Sequence, residues 1–198
     1  MEPFEIIAAP YDVWVAPTGT AFPLLTVAPA VPWARLGTRG NMNISEDGIT
    51  VAHEEEIEEF RMLGATGPVK AARVSEGLSL SFVLHDLTLE AYQAVLGFNP
   101  LTSVPASAGV PGSRSINLYR GAGSPPVRSL LLRGPGPYGA AFPLQYELRR
   151  CYFRAEAEVV YSRGEPAGLE ISCVALIDTS APAGQEFGVL RAQTTVPL

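Results

Sequence analysis

The chain has 198 residues, 47% of them hydrophobic and 17% charged, and this balance excludes an intrinsically disordered tail. A chain of this length can bury enough apolar surface to fold without disulfides or a structural metal. Its formal charge is −6, with 20 acids against 14 bases and no basic cluster, which argues against tight binding to nucleic acid.

The N-terminal part is predicted to be an arm followed by short strands. Residues Met1–Pro10 show no clear period, and their two glutamates and lack of a basic region do not resemble a secretory signal peptide. We therefore expect the protein to stay inside the cell that makes it. Three prolines exclude a central strand from the connection Phe22–Pro32. The strands predicted here are Tyr11–Ala16, Trp33–Leu36 and Asn41–Ile44.

Residues Gly48–Val74 are predicted to form a long β-hairpin. An alternating strand leads into a glutamate-rich stretch, and Val69–Val74 returns after a turn near Gly64–Gly67. A helix over Glu54–Leu63 is the alternative, because glutamate is a good helix former. The β patterns on both sides favour the hairpin.

A strand and a short helix follow the hairpin. Apolar and polar residues alternate over Leu78–Leu84, which is typical of a half-buried strand. A helix is predicted at about residues 87–97, capped by Asp86 or Thr88 and stopped by Gly97. About ten residues are too few for a stable isolated helix, so this helix must dock on the sheet.

The second half of the chain returns to strands. Asn99–Gly112 is predicted to be a loop, and residues 179–198 a C-terminal arm without a regular period. No internal repeat or linker divides residues 1–198, so we expect one domain that is a β-sandwich or barrel with a single flanking helix. The strands predicted here are Ser115–Arg120, Val127–Arg133, Leu144–Arg149, Cys151–Tyr161 and Leu169–Ile177.

Residues that carry catalytic chemistry are sparse. His53 and His85 have no accompanying nucleophile or metal ligand at a useful spacing, so we expect no enzyme, no metal and no cofactor. Gly134–Gly139 spells GxGxxG, but two of its residues are prolines that lack the backbone donors a pyrophosphate needs, and it is predicted to be a turn. Cys151 and Cys173 lie in strand-like runs and are expected to be buried free thiols, with a disulfide as the alternative.

The glutamate-rich stretch is the remaining candidate site. Residues 46–59 hold seven acids and no base. On a strand, Glu54, Glu56 and Glu58 point to one side, so that one whole face is carboxylate. A solvated strand face and a functional electrostatic surface are both open at this point. A calcium site is not favoured, because the stretch lacks the glycine bend of a calcium loop.

Three groups of residues resemble the major tail-tube protein of long-tailed bacteriophages. They are Val15–Pro23, then Gly48–His53 with Glu58–Lys70, and then Gly164–Leu169 with Glu186–Leu190. Together with Leu78–Gly97 they span almost the whole chain. The resemblance implies a non-enzymatic β-sandwich with one helix. It also implies that six copies close a ring, and that the rings stack into a tube through which DNA passes during ejection.

The resemblance also implies roles for particular residues. Glu54, Glu56 and Glu58 would line the lumen. The hairpin would contact the next ring through Glu59, Phe60, Arg61, Leu63, Thr66, Pro68 and Lys70. The terminal arms would contact neighbouring subunits through Phe4, Ile6, Phe187, Leu190 and Arg191. The expected partners are further copies of the chain, other tail proteins at the tube ends, and genomic DNA held transiently, with no membrane anchor. The expected location is the virion tail, assembled in the bacterial host cytoplasm.

Two alternatives stay open from the sequence. The chain could be another ring-forming virion component, such as a tail terminator or a head–tail joining protein. It could also be a β-sandwich that binds a carbohydrate or a surface partner, with Trp14 and Trp33 as an aromatic platform.

Overall fold

The fold is mainly β with one short helix, as the sequence predicts. The structure is a computed structural model that describes residues 7, 10–37, 43–139, 141–154, 159–164 and 166–196. The first strands are β1 (Asp12–Pro17), β2 (Ala34–Arg35), β3 (Ile44–Phe60) and β4 (Lys70–Leu84), followed by helix α1 (Leu89–Val95). The remaining strands are β5 (Leu101–Val104), β6 (Ser113–Ile116), β7 (Val127–Pro135), β8 (Pro143–Phe153), β9 (Leu169–Ala175) and β10 (Gly188–Ala192).

Eight strands form one antiparallel sheet, and β5 and β6 form a separate ribbon. The order in the sheet is β2-β1-β7-β8-β9-β4-β3, with β10 also paired to β8. Strand β8 is the branch point: Leu144–Leu148 pairs with β10, whereas Cys151–Phe153 pairs with β9. Because β7 occupies one edge of β8 along most of its length, β9 and β10 share the opposite edge.

The sheet bends so that its two halves enclose a common core. Alternate residues of β1 and β7 on one half, and of β4 and β9 on the other, belong to a single buried cluster, among them Val13, Leu130, Leu80 and Ile171. The path of the sheet runs from β2 to β3, and these two strands do not pair with each other in the described residues. The arrangement is therefore a folded-over sheet of two facing halves, as expected for a sandwich.

Helix α1 packs against the core and begins where the sequence predicts. The backbone N–H of Ala91 donates to Oγ1 of Thr88, which is the N-cap. The helix is capped at Leu96, and Gly97 follows with φ +72°, a left-handed conformation that favours glycine. Ala91, Ala94 and Val95 are buried, so the short helix is held by the sheet, as its length requires.

Three local predictions were wrong. The predicted loop Asn99–Gly112 contains β5, which pairs with β6. Leu144–Arg149 and the start of Cys151–Tyr161 form one strand that ends at Phe153. The predicted C-terminal arm contains β10, which pairs with β8 because Val189 and Leu190 continue a strand pattern that was too short to recognise.

The predictions for the N-terminal arm fall mostly outside the described residues. Within Met1–Pro10 the structure describes only Ile7 and Pro10. Phe4 and Ile6, which were expected to contact neighbouring subunits, lie outside the described residues.

Cys151 and Cys173 are both buried and free, as predicted. They lie on the neighbouring strands β8 and β9, where the two halves of the sheet join. Contact with the thiol of Cys173, together with burial, raises the pKa of Cys151 well above its usual value. Among the described residues, no helix is long and apolar enough to cross a membrane.

Candidate functional site

The predicted hairpin is present and is longer than expected. Strands β3 and β4 pair from Ile49–Phe82 to Phe60–Lys70, and the chain reverses between residues 61 and 69. The helix alternative for Glu54–Leu63 is wrong, because residues 54–60 belong to β3. Val74 is an extra residue on β4, since Glu56 pairs with Ser75 and Ile57 with Arg73. Such a bulge increases the local twist of the ribbon.

The outer side of the hairpin carries the predicted row of carboxylates. Val51 and Leu80 pair on the side that faces the core, so Glu54, Glu56 and Glu58 lie on the opposite side by alternation. Their cross-strand neighbours are small or neutral: Gly77, Ser75 and Ala72. Of these three neighbours, only Ser75 donates a hydrogen bond to one of the carboxylates, from its Oγ to Glu56 Oε2 at 3.4 Å. The negative charge of this face is therefore not neutralised within the hairpin.

The other side of the hairpin holds ion pairs. Arg73 Nε lies 2.9 Å from Glu55 Oε2, and its Nη1 lies 3.7 Å from Glu76 Oε2. Glu55 and Glu76 are directly opposite each other, so Arg73 separates two like charges. Nearer the turn, Arg61 Nη2 lies 3.2 Å from Glu59 Oε2. The two sides of one ribbon therefore differ in charge balance.

The tip of the hairpin exposes apolar side chains. Leu63 is 108% exposed, which places it fully in solvent in the single chain, and Met62 is 69% exposed. Other large apolar residues exposed on the hairpin are Ile57, Phe60, Val69 and Val74. Thr66 and Pro68, also predicted to contact the next ring, belong to the same turn region. An exposed apolar group of this kind is typical of an interaction site.

The outer face of the sheet continues the acidic side of the hairpin. We call the outward residues of β3, β4 and β9 the bare face, because none of them is buried. Besides Glu54, Glu56 and Glu58, they are mostly small or polar: Thr50, Ala52, Ser79, Ser81, Val83, Glu170, Ser172 and Val174. Neither lysine nor arginine occurs among these named positions, although Lys70, which pairs with Phe60 near the turn, lies on the same side. The bare face is therefore polar, acidic and shallow.

The outer face of the other half is buried under the segment of residues 18–33, the covering loop. Leu131, Ala16 and Trp33 form a small second core there, and the ring of Phe22 lies 5.1 Å from that of Trp33. Trp33 Nε1 donates to Ala21 O at 3.0 Å. Trp33 is buried and Trp14 packs against the same cluster, so the two tryptophans do not form the aromatic platform considered for a carbohydrate site.

A polar network under the covering loop was not predicted from the sequence. Gln145 is fully buried, and its Nε2 donates to Glu147 Oε1 at 2.6 Å and to Pro23 O at 3.0 Å. Arg133 donates to Gln145 and to the carbonyl oxygens of Leu24 and Val27. The signal in the sequence was the alternation of Gln145, Glu147 and Arg149 along β8, which resembles a solvated strand face until the loop is placed over it.

The remaining predicted contact residues lie in different environments. Phe187 packs against the main core of its own chain. Leu190 lies on β10 with its side chain exposed, and Arg191 Nε lies 2.9 Å from Glu147 Oε1. Their predicted role in subunit contacts therefore stays a prediction for all three, and Phe187 in addition packs within its own chain.

The two histidines and the GxGxxG motif lie in separate parts of the structure. His53 and His85 are exposed; His53 lies within β3 opposite Leu78, and His85 directly follows β4. Gly134 and Pro135 still belong to β7, and residues 136–139 form a turn before antiparallel β8, so the predicted turn is confirmed for the second part of Gly134–Gly139. In the described part of the chain, no group of three histidine, cysteine or acidic residues is placed to hold a metal ion.

Comparison with known proteins does not identify a family for this chain. No protein-family model matches the chain. No curated protein sequence matches it either. The function therefore has to be inferred from the residues and their geometry.

Proposed function

We propose that this chain is a structural subunit that assembles with copies of itself into rings, and that these rings stack into a tube of the phage tail-tube kind. The observation that carries this proposal is the hairpin. It projects its apolar tip into solvent, and β3 pairs with no strand other than β4 in the described residues.

The free edge of β3 supports assembly. A strand at the end of a sheet presents unpaired N–H and C=O groups, and β3, with 17 residues, is the longest of the described strands. Glutamates along this edge discourage random pairing between identical chains, because like charges would meet. A specific neighbour that avoids this clash would complete the sheet and bury the edge.

The bare face supports the role of a conduit wall. In a ring, the part of this face on the sheet itself would present serine, threonine and glutamate to the lumen. Like-charge repulsion would then keep passing DNA from adhering to the wall. Within the sheet itself, Glu170 supplies a carboxylate to this face.

The hairpin can be removed without disturbing its base. Glu54 and Gly77 are directly opposite, so replacing residues 55–76 by Asn-Gly closes the strands with a two-residue turn. We expect a folded chain that no longer forms stacked tubes. Circular dichroism would check the fold, and negative-stain electron microscopy would show the assembly. Tubes of normal length from this variant would refute the role of the hairpin.

A point variant with a matched control isolates the apolar tip. Met62→Ser with Leu63→Ser removes the two most exposed apolar side chains of the tip. Leu118→Ser with Tyr119→Ser removes two exposed apolar residues of similar exposure outside the hairpin. We expect only the first pair to reduce assembly in sedimentation velocity. A wild-type chain that remains monomeric at high concentration would contradict the proposal as a whole, and rings that never stack would favour a single-ring virion component.

A further inference from the structure

A β-bulge turns two consecutive arginines toward the same side of the sheet. Arg128 pairs with Cys151 and Leu130 with Leu148, so β8 has one residue more than β7 in this interval. Leu148 and Cys151 both face the core, which leaves Arg149 and Arg150 together on the outer side. Ser129 lies opposite and its Oγ donates to Arg149 O at 2.8 Å. Bulges commonly re-aim side chains in this way.

The two arginines line a cleft beside the covering loop. The cleft has a volume of about 800 Å³ and is also lined by Arg191, Thr18, Thr20 and Ser180. This volume is in the range of ordinary ligand sites, roughly 300–1,000 Å³. We call it the arginine cleft. Three guanidinium groups at one concave surface are suited to binding carboxylates, because each offers a planar fork of N–H donors.

The acids in the arginine cleft are already engaged. Glu147 accepts from Arg191 at 2.9 Å and from Gln145 at 2.6 Å. Asp178 Oδ1 accepts from the hydroxyl and the backbone N–H of Ser180. These hydrogen bonds, with the nearby charges of Arg150 and Arg149, lower the pKa of Asp178. The carboxylates of the cleft are thus held by other donors.

Arg149 and Arg150 retain binding capacity. Among the described residues, neither makes an ion pair within 4.0 Å. Arg149 Nη2 donates to the neutral Gln185 at 3.2 Å, while its Nε is buried without a hydrogen-bond partner. The two guanidinium groups therefore keep charge and N–H donors that no carboxylate of the described residues pairs with, and a carboxylate brought to the cleft by another chain would be stabilising.

The hairpin carries the complementary group. Glu54, Glu56 and Glu58 form a row on one side of an extended strand, with successive carboxylates about 7 Å apart from the strand rise. Small cross-strand neighbours leave this row sterically open. The arginine cleft and this row lie on different halves of the sheet, and β3 pairs only with β4 in the described chain. The row is therefore available to a second copy.

We propose that the arginine cleft of one copy receives the Glu54–Glu58 row of another copy. This inference rests on the self-assembly in the proposed function and names the two surfaces that meet. It assigns Arg149 and Arg150 as the receiving residues and Arg191 as their neighbour. It also places these glutamates at a contact between copies, whereas the tube wall retains the serines and Glu170 of the bare face.

A charge swap tests the pairing. Arg149→Glu with Arg150→Glu should weaken association at least about tenfold, because like charges would face each other across the contact. Arg120→Glu with Arg163→Glu makes the same change in net charge at exposed sites outside the cleft and should leave association within about twofold. Adding Glu54→Arg, Glu56→Arg and Glu58→Arg to the first variant should restore most of the association. Sedimentation velocity gives the affinities.

The variants also separate this inference from the proposed function. Arg150→Glu alone serves if the double variant does not fold, because the side chain of Arg150 makes no described hydrogen bond. Normal assembly by the cleft variants, or no restoration by the swap, would overturn the inference and leave the assembly proposal standing. A monomeric wild-type chain would refute both.

A cross-link locates the contact directly. Ser75 lies on the glutamate side of the hairpin and Thr20 lines the arginine cleft. We expect a mixture of Ser75→Cys and Thr20→Cys chains to give a mixed dimer with a short bifunctional maleimide. The native Cys151 and Cys173 are buried and should not react. The mixed dimer should disappear when the cleft carries Arg149→Glu and Arg150→Glu, and its persistence there would overturn the inference.

Discussion

The outer faces of the two halves of the sheet differ in whether another segment of the chain covers them. On the covered face, Leu131, Ser129, Gln145 and Glu147 are all buried beneath the covering loop. On the bare face, the corresponding residues of β4 and β9 are mostly serines and valines, which remain partly exposed. One half of the sheet thus has a second layer within the chain, whereas the other half ends in solvent.

The difference shows which face is covered within the single chain and which face is left free to contact a partner. The covered face uses a buried polar network, which requires every donor and acceptor to be matched and so fixes the path of the loop. The bare face uses small polar residues that need no cover. The hairpin extends from the bare half, so the open face and the projecting element belong to the same part of the molecule.

The largest expected effect on stability is the difference between truncating an outward residue on the covered half and truncating one on the bare half. Leu131→Ala removes a fully buried side chain from the covered face and should lower the free energy of unfolding by about 2–5 kcal/mol. Val174→Ala, on the bare face, should cost less than about 1 kcal/mol, because little is packed against it from outside. Urea denaturation of both variants measures the difference. Equal losses would mean that the two faces are packed alike.

A smaller effect is expected from the ion pair under the covering loop. Arg191→Met leaves the Glu147 carboxylate, whose side chain is 6% exposed, without its cation and should cost about 3 kcal/mol. Glu147→Gln removes the buried charge and should cost about 1–2 kcal/mol, since Arg191 can turn toward water. Denaturation at one protein concentration compares the two. A greater loss from Glu147→Gln would contradict this account of the network.

The buried thiol of Cys151, where the two halves of the sheet join, should make the stability of the fold depend on pH. The raised pKa of Cys151 means that the folded state keeps its proton where the unfolded chain releases it. The resulting stability is fully present below the unfolded thiol pKa of about 8.5 and is lost as the pH rises through the folded value, by at most about 1.4 kcal/mol per pH unit. Stability measured from pH 7 to 10 should fall, and the slope should flatten in Cys151→Ala. An unchanged slope in that variant would exclude the thiol as the cause.

The smallest effect is expected at the ion pairs of the hairpin. Arg73→Gln breaks contacts with Glu55 and Glu76, but all three side chains are about half exposed. We expect a loss of about 0.2–1 kcal/mol, because water screens exposed pairs. Thermal denaturation measures it, with Arg163→Gln as a control on an exposed arginine outside the hairpin. A loss of several kcal/mol would mean that the hairpin is held by its own charges.

Part of the candidate site could be read directly from the sequence. Alternation along β3 placed Glu54, Glu56 and Glu58 on one side, and the structure agrees because strand geometry alone fixes that relation. The helix cap at Thr88 was also local. The bulges were not predictable, since the extra residues Val74 and Arg149 or Arg150 depend on the pairing partner. The arginine cleft could not be found without the bulge in β8.

What the sequence determined by itself was therefore local: strand alternation, turns, the helix and its cap, and the balance of charge. The tertiary structure alone decided which strands are neighbours, that Gln145 and Glu147 are buried, and that β10 completes β8. The physical reason is that alternation tells which residues share a side of a strand, whereas burial depends on what chain-distant segment covers that side. The covered face and the bare face show this, because only the first is overlaid by a distant segment of the chain.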